Sequence, residues 1–231
     1  PHLKVLLSVG ESRDQTSRRF SNLVSNALHR RDFIRSAVAL IRNYKFDGID
    51  LYWEYPGAIE LNGRVTDKEF FGLFLEELSE IFKPYDWLLT VSAPASRFRI
   101  EDGFNVEKLA KTVNFVNVQT FDFHLDREAI ADHHSPLNVR PQDNDLDMFN
   151  NVEYAVRYWL KKGLPPSKLI VGLPFNGRSF TLKDATNFEI GSLIKGPGRE
   201  GYYTENPGLL SYFEICDLII NEGLIRRTDS A

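Results

Sequence analysis

Apolar residues fall into short runs separated by stretches with helical periodicity. Leu3 to Val9 is a mainly apolar run, interrupted by Lys4 and ending at Gly10. It reads as a buried strand followed by a loop to about Ser17. From Phe20 to Tyr44, apolar residues at Phe33, Ile34, Ala37, Leu40 and Ile41 recur at helical spacing. Phe46 to Tyr52 is the next predicted strand, ended by Pro56-Gly57. Thr66 with Glu69 three residues on has the form of a capping box. The helix it would open runs to Phe82, with Phe70, Phe71, Phe74, Leu75, Leu78 and Ile81 on one face. Trp87 to Val91 is predicted as a strand closed by Ser92-Ala93-Pro94, Asn105 to Lys111 as a short helix and Val113 to Phe121 as a longer strand. Asn150 or Asn151 would cap a helix carrying Val152, Val156 and Trp159, which Gly163 and Pro165-Pro166 end. Lys168 to Phe175 completes a set of five strands alternating with helices, the signature of a parallel α/β sheet.

After Phe175 the rhythm breaks. Residues 176–208 are rich in Gly, Pro, Asn and Thr, and Ser211 with Glu214 predicts the cap of a last helix ending near Gly223. This reads as the start of a separate subdomain. The longest purely apolar run, Ala37 to Ile41, is far shorter than the roughly 20 residues that span a bilayer. The net charge of −4, from 28 basic and 32 acidic residues, argues against a nucleic-acid binder. Cys216 is the single cysteine, so no disulfide closes within these 231 residues. Taken alone, that suggests a reducing compartment.

In a parallel α/β protein, ligands bind at the carboxyl ends of the strands. The segment Phe46-Asp47-Gly48-Ile49-Asp50-Leu51-Tyr52-Trp53-Glu54-Tyr55-Pro56 is therefore informative. Strand periodicity puts Asp50, Tyr52 and Glu54 on one face and Ile49, Leu51 and Trp53 on the other. Two carboxylates and a phenol line one side, with Glu54 at the mouth as a candidate general acid. The bland alternative is a structural hydrogen-bond ladder. In Asn117 to His124, Asn117, Gln119 and Phe121 alternate with Val118, Thr120 and Asp122. Asp122 could serve Glu54 or a ligand hydroxyl, although alone it reads as a turn residue. His133-His134 reads as solvated loop, because adjacent histidines project apart and no third metal ligand has suitable spacing.

These residues carry a resemblance. Phe46 to Pro56 resembles the Asp-Gly-x-Asp-x-Asp-x-Glu strand of glycoside hydrolase family 18, the chitinases and chitinase-like lectins. Lys4 to Gly10 resembles that family's third barrel strand. Gln119-Thr120-Phe121-Asp122 resembles its Met-x-Tyr-Asp motif on strand six, and Leu173 to Leu182 its seventh strand. Gly196 to Thr204 and Pro207 to Cys216 resemble its insertion domain. The resemblance, arthropod in flavour, implies a (β/α)8 TIM barrel. Strands three to seven would lie in residues 1–182 and part of an α+β insertion domain in 183–231. A five-strand arc leaves edges open, so residues 1–231 are expected not to fold stably alone. It further implies a secreted protein whose Cys216 pairs with a later cysteine.

The family cleaves β-1,4-linked N-acetylglucosamine polymers with retention, the substrate's acetamido oxygen acting as nucleophile. The resemblance assigns acid catalysis to Glu54, with Asp47 and Asp50 matching the first two motif acids. Tyr52 stands in place of the third acid, which would orient the acetamido group, and Phe121 lacks the hydroxyl of the strand-six Tyr. Each such preorganised contact is typically worth roughly 10²–10³ in rate. Glu11-Ser12 stands where many members have Gly-Trp, Gln119 replaces Met and Asn176 replaces Tyr. The implied catalytic residues are Glu54, Asp50 and Asp122. Those implied for substrate binding are Tyr52, Tyr55, Gln119, Phe121, Asn176, Arg178, Gly10 and Glu11. Three readings follow. The altered motif favours a binder of chitin or chitooligosaccharides with absent or weak hydrolysis. The retained Glu54 favours an active retaining endochitinase. A secreted growth-factor-like signalling protein without sugar binding is the third. None implies a metal or organic cofactor, a nucleic-acid partner or a membrane.

Overall fold

The computed structural model describes residues 3–11, 14–143 and 146–228. The chain forms two compact units: Pro1–Gln119 with Ala155–Gly172, and Thr120–Tyr154 with Leu173–Ala231. In the first, strands and helices alternate as β1 (Leu6–Glu11), α1 (Asp14–Val24), α2 (Ala27–Tyr44), β2 (Gly48–Trp53), α3 (Asp67–Phe82), β3 (Leu88–Pro94), α4 (Arg97–Gly103), α5 (Val106–Thr112) and β4 (Phe115–Gln119). The helix α6 (Val152–Lys161) leads into β5 (Leu169–Val171). The five strands form one parallel sheet in chain order. That is the βα progression of a partial (β/α)8 barrel, as expected.

The outward side chains of β2 make the core. Ile49, Leu51 and Trp53 are fully buried. Trp53 stacks on Phe20 of α1 at 5.2 Å and meets Phe71 of α3 edge-on at 5.4 Å, while its indole N–H donates to Ser17 Oγ at 3.0 Å. An aromatic this large is tolerated in a core when its one polar atom has a partner. Trp159 of α6 is likewise buried against Phe104, with its N–H on the Pro94 carbonyl at 3.0 Å.

Several boundaries differ from the sequence reading, each for a local reason. The helical stretch between Phe20 and Tyr44 is two helices, because the Asn26 side chain accepts from the amides of Leu28 and His29 and starts a new one. The expected loop to Ser17 is already helical from Asp14. The capping box at Thr66 does not form. Thr66 has helical dihedrals and no side-chain cap, and the buried Asp67 carboxylate takes the Arg64 amide and Ser21 hydroxyl, both at 2.7 Å. Ile81 is exposed, and Phe82 takes the buried place on that helix. Ser92 to Pro94 continue β3 because they pair with Asn117 to Gln119. The strand expected to reach Phe175 stops at Val171.

The second unit holds two antiparallel pairs. One joins β6 (Asn176–Arg178) to β9 (Leu209–Ser211); the other joins β7 (Phe180–Leu182) to β8 (Ile194–Pro197). The predicted capping box at Ser211 is present and starts α7 (Tyr212–Asn221). Its Glu214 is buried and accepts four hydrogen bonds. The Tyr203 and Thr204 amides donate to Oε1 at 2.8 and 3.2 Å, and the Ser211 amide and hydroxyl donate to Oε2, both at 2.8 Å.

Two predictions follow from these close contacts. Gly10 sits at φ +127°, and a Cβ there would lie 1.6 Å from the Tyr52 carbonyl oxygen across the β1–β2 pair. Gly10→Ala is expected to destabilise the full-length protein by about 3 kcal/mol, combining a strained dihedral with a backbone clash. An unchanged denaturant midpoint would contradict this. Burial pushes the Glu214 carboxyl up, but the hydrogen bonds from Ser211, Tyr203 and Thr204 outweigh it and hold the group at about 2. A carboxyl lowered on folding stabilises fully above its unfolded value of 4.5 and loses that contribution as pH falls toward 2. The melting temperature of the parent is therefore expected to exceed that of Glu214→Gln near neutral pH, with the gap narrowing as pH drops through that window.

Candidate active site

At the carboxyl end of the parallel sheet, β2 presents Asp50, then Tyr52, with Glu54 just past its end. Asp50 is held from three other strands of the sheet. Its Oδ2 accepts from Ser8 Oγ on β1 at 3.3 Å and from Ser92 Oγ on β3 at 2.9 Å. Its Oδ1 accepts from Thr90 Oγ1 on β3 at 2.5 Å and from Asn117 Nδ2 on β4 at 3.0 Å. A carboxylate has about four acceptor positions, and these four donors fill them. Ser8 and Thr90 are the register partners of Asp50, so all three project to the same side of the sheet.

Tyr52 and Glu54 are both half-buried, and the Tyr52 hydroxyl donates to Glu54 Oε1 at 2.7 Å. Tyr55 follows, its ring under the Arg99 guanidinium at 5.0 Å and its carbonyl held by Ser17 Oγ at 3.2 Å. Burial pushes the Tyr55 phenol well above the ordinary tyrosine value, with the Glu54 and Tyr52 charges adding to it. Asp47 lies at the opposite, N-terminal end of β2, where its carboxylate takes the Val5 amide at 2.8 Å and the Lys4 ammonium at 2.9 Å. The Val5 hydrogen bond leads in holding that carboxyl below the usual range. Its position marks a structural role.

Gly10 and Glu11 end β1 in register with Tyr52 and Trp53. Gly10 thus serves close approach of two strands. Ser12, where the family indole is replaced, lies outside the described residues. Gln119 ends β4 and is half-buried.

The second unit carries its own polar cluster. Asp122 adopts left-handed dihedrals (φ 58°), with Phe121 half-buried beside it. The Arg178 guanidinium of β6 grips the Asp122 carboxylate in bidentate fashion, Nε to Oδ1 at 2.8 Å and a terminal nitrogen to Oδ2 at 2.6 Å. Burial pushes the Asp122 carboxyl up; His134 and Arg178 outweigh it and hold the group well below the usual carboxylate range. The expectation that His133-His134 is solvated loop is corrected for half of the pair. His133 is exposed, whereas His134 is half-buried, with Nδ1 3.3 Å from Asp122 Oδ1 and Nε2 3.2 Å from the Asn176 carbonyl. No group of three or more His, Cys, Asp or Glu among the described residues has metal-binding geometry.

Sequence reasoning named Asp50, Tyr52 and Glu54 but passed over Ser8, Thr90 and Ser92. The signal was the shared register of polar residues on apolar strands. Asp50→Asn is expected to cost about 2 kcal/mol of stability, because donors now aimed at carboxylate oxygens meet an amide N–H₂. Chemical denaturation checks this, and an unaltered midpoint would mean the four hydrogen bonds are dispensable.

The whole of residues 1–231 matches the model of the family described as Glycosyl hydrolases family 18. Mouse chitotriosidase-1 is 38% identical over 223 residues, covering 94% of this chain and 47% of that protein. The solved catalytic domain 2 of the group II chitinase from Ostrinia furnacalis superposes with a TM-score of 0.93 at 33% identity, covering 99% of this chain and 60% of that one. Human YKL-39, described as a pseudo-chitinase with retained chitooligosaccharide binding, superposes with a TM-score of 0.85 at 37% identity, covering 94% of this chain and 60% of that one. The chain thus spans about half to three-fifths of these relatives. It belongs to glycosyl hydrolases family 18.

Proposed function

We propose that the protein binds chitin or chitooligosaccharides outside the cell and hydrolyses them weakly or not at all. One observation carries this reading: the phenol of Tyr52, standing where the motif has a carboxylate, donates to Glu54 Oε1 at 2.7 Å. A phenol supplies no negative charge to a cationic oxazolinium intermediate. Its hydroxyl also occupies the oxygen of the one side chain positioned as general acid. Phe121 removes a second partner of the acetamido group. Asp50, with its acceptor positions filled by Ser8, Thr90, Ser92 and Asn117, does not take over the missing role.

Binding is supported by what the substitutions leave. Tyr55, Asp122 and Arg178 match family positions that contact sugar. YKL-39 offers a precedent for a family member that keeps oligosaccharide binding without the enzyme activity. No helix among the described residues is long and apolar enough to cross a membrane.

The test is turnover of a fluorogenic chitotriose by the full-length protein. Restoring the motif with Tyr52→Asp and Phe121→Tyr together is expected to raise the rate by about 10²-fold or more, the scale of a preorganised transition-state contact. Tryptophan-fluorescence titration should show chitotetraose binding by the parent. Clear parental turnover that vanishes in Glu54→Gln would establish the endochitinase reading instead. Binding of no glycan by the parent would favour the signalling reading.

A further inference from the structure

We propose that His134 is a positioning residue that, with Arg178, fixes the Asp122 carboxylate and thereby supports glycan affinity. The inference rests on reading Asp122 and Arg178 as sugar contacts.

Three contacts pin the backbone around His134. The Phe123 amide donates to the His134 carbonyl at 2.9 Å, and Ser135 Oγ donates to the Thr120 carbonyl at 2.7 Å. Those two bonds bracket Asp122 between Thr120 and Phe123. On the other flank, Asp132 is locked in a bidentate pair with the buried Arg140 at 2.7 and 2.8 Å, and Arg140 also holds Asp143. The imidazole is therefore delivered to Asp122 by a tied loop.

The imidazole lies among acceptors. Nε2 is 3.2 Å from the Asn176 carbonyl, and the buried Nδ1 is 3.3 Å from Asp122 Oδ1. The imidazole joins the Arg178 guanidinium in holding the Asp122 carboxyl below the usual carboxylate range. Asp132, on the same loop, is paired with Arg140 instead. Asp122 is therefore fixed by two side chains rather than by Arg178 alone.

Asn at this position keeps a polar group near Nδ1, and Leu removes it. In the full-length protein, His134→Leu should bind chitotetraose about tenfold more weakly than the parent. His134→Asn should bind within about threefold of the parent. A loss in His134→Asn as large as in His134→Leu would overturn the proposal. So would undiminished binding by His134→Leu. A second measurement needs no sugar: by carboxyl carbon-13 NMR, Asp122 should titrate at higher pH in His134→Leu than in the parent. An unmoved Asp122 titration overturns the inference even if the parent binds glycan. A moved titration with no glycan bound by the parent locates the failure in the binding reading and leaves the His134–Asp122 coupling standing.

Discussion

The sheet of the first unit is organised about one carboxylate. Asp50 projects from the middle of β2 into a space where every neighbouring strand supplies a donor, and no apolar side chain could satisfy Ser8, Thr90, Ser92 and Asn117 together. Buried polar groups are stable when every member of their network has a partner. This one ties β1, β2, β3 and β4 together across two successive register levels, those of Asp50 and Tyr52. On the opposite face of the same strand, Ile49, Leu51 and Trp53 are gripped by helices. The strand is held from both sides, and the residues at its end inherit that rigidity.

Against so fixed a background, one side-chain change has chemical consequences. A carboxylate at position 52 would be free to exchange a proton and to orient a polar substrate group. Tyr52 instead directs its hydroxyl at Glu54, turning two functional positions into a hydrogen-bonded pair. Such a change needs no disruption of the scaffold, because the stability of the sheet resides in the core and the Asp50 network. In the second unit, Asp122, Arg178 and His134 form a comparable small network, again built by loops that are tied down by their own hydrogen bonds.

Much was legible in the sequence. The α/β alternation, the two faces of β2 and the capping box at Ser211 all depend on local periodicity and hydrogen bonds within a few residues. Where the reading slipped, a distant partner decided. The cap expected of Thr66 is absent, and the neighbouring Asp67 carboxylate is taken up by Ser21 and Arg64 rather than by the helix amides. The strand past Lys168 shortened to Leu169–Val171, the residues that pair with β4. His134 looked like solvent-facing loop because nothing in its neighbours announces Asp122, twelve residues earlier, or Asn176, forty-two later.

By itself, then, the sequence determined the α/β alternation and the chemistry available at the end of β2, which follow from residue identity and short-range spacing. Its resemblance to the family marked Tyr52 as standing in place of a motif carboxylate. The tertiary structure alone decided which groups spend their hydrogen bonds and ion-pair contacts on one another: Tyr52 on Glu54, four strand residues on Asp50, His134 and Arg178 on Asp122. Hydrogen bonds and ion pairs depend on distances of about 3 Å between side chains, and only the packing of strands and loops sets those distances.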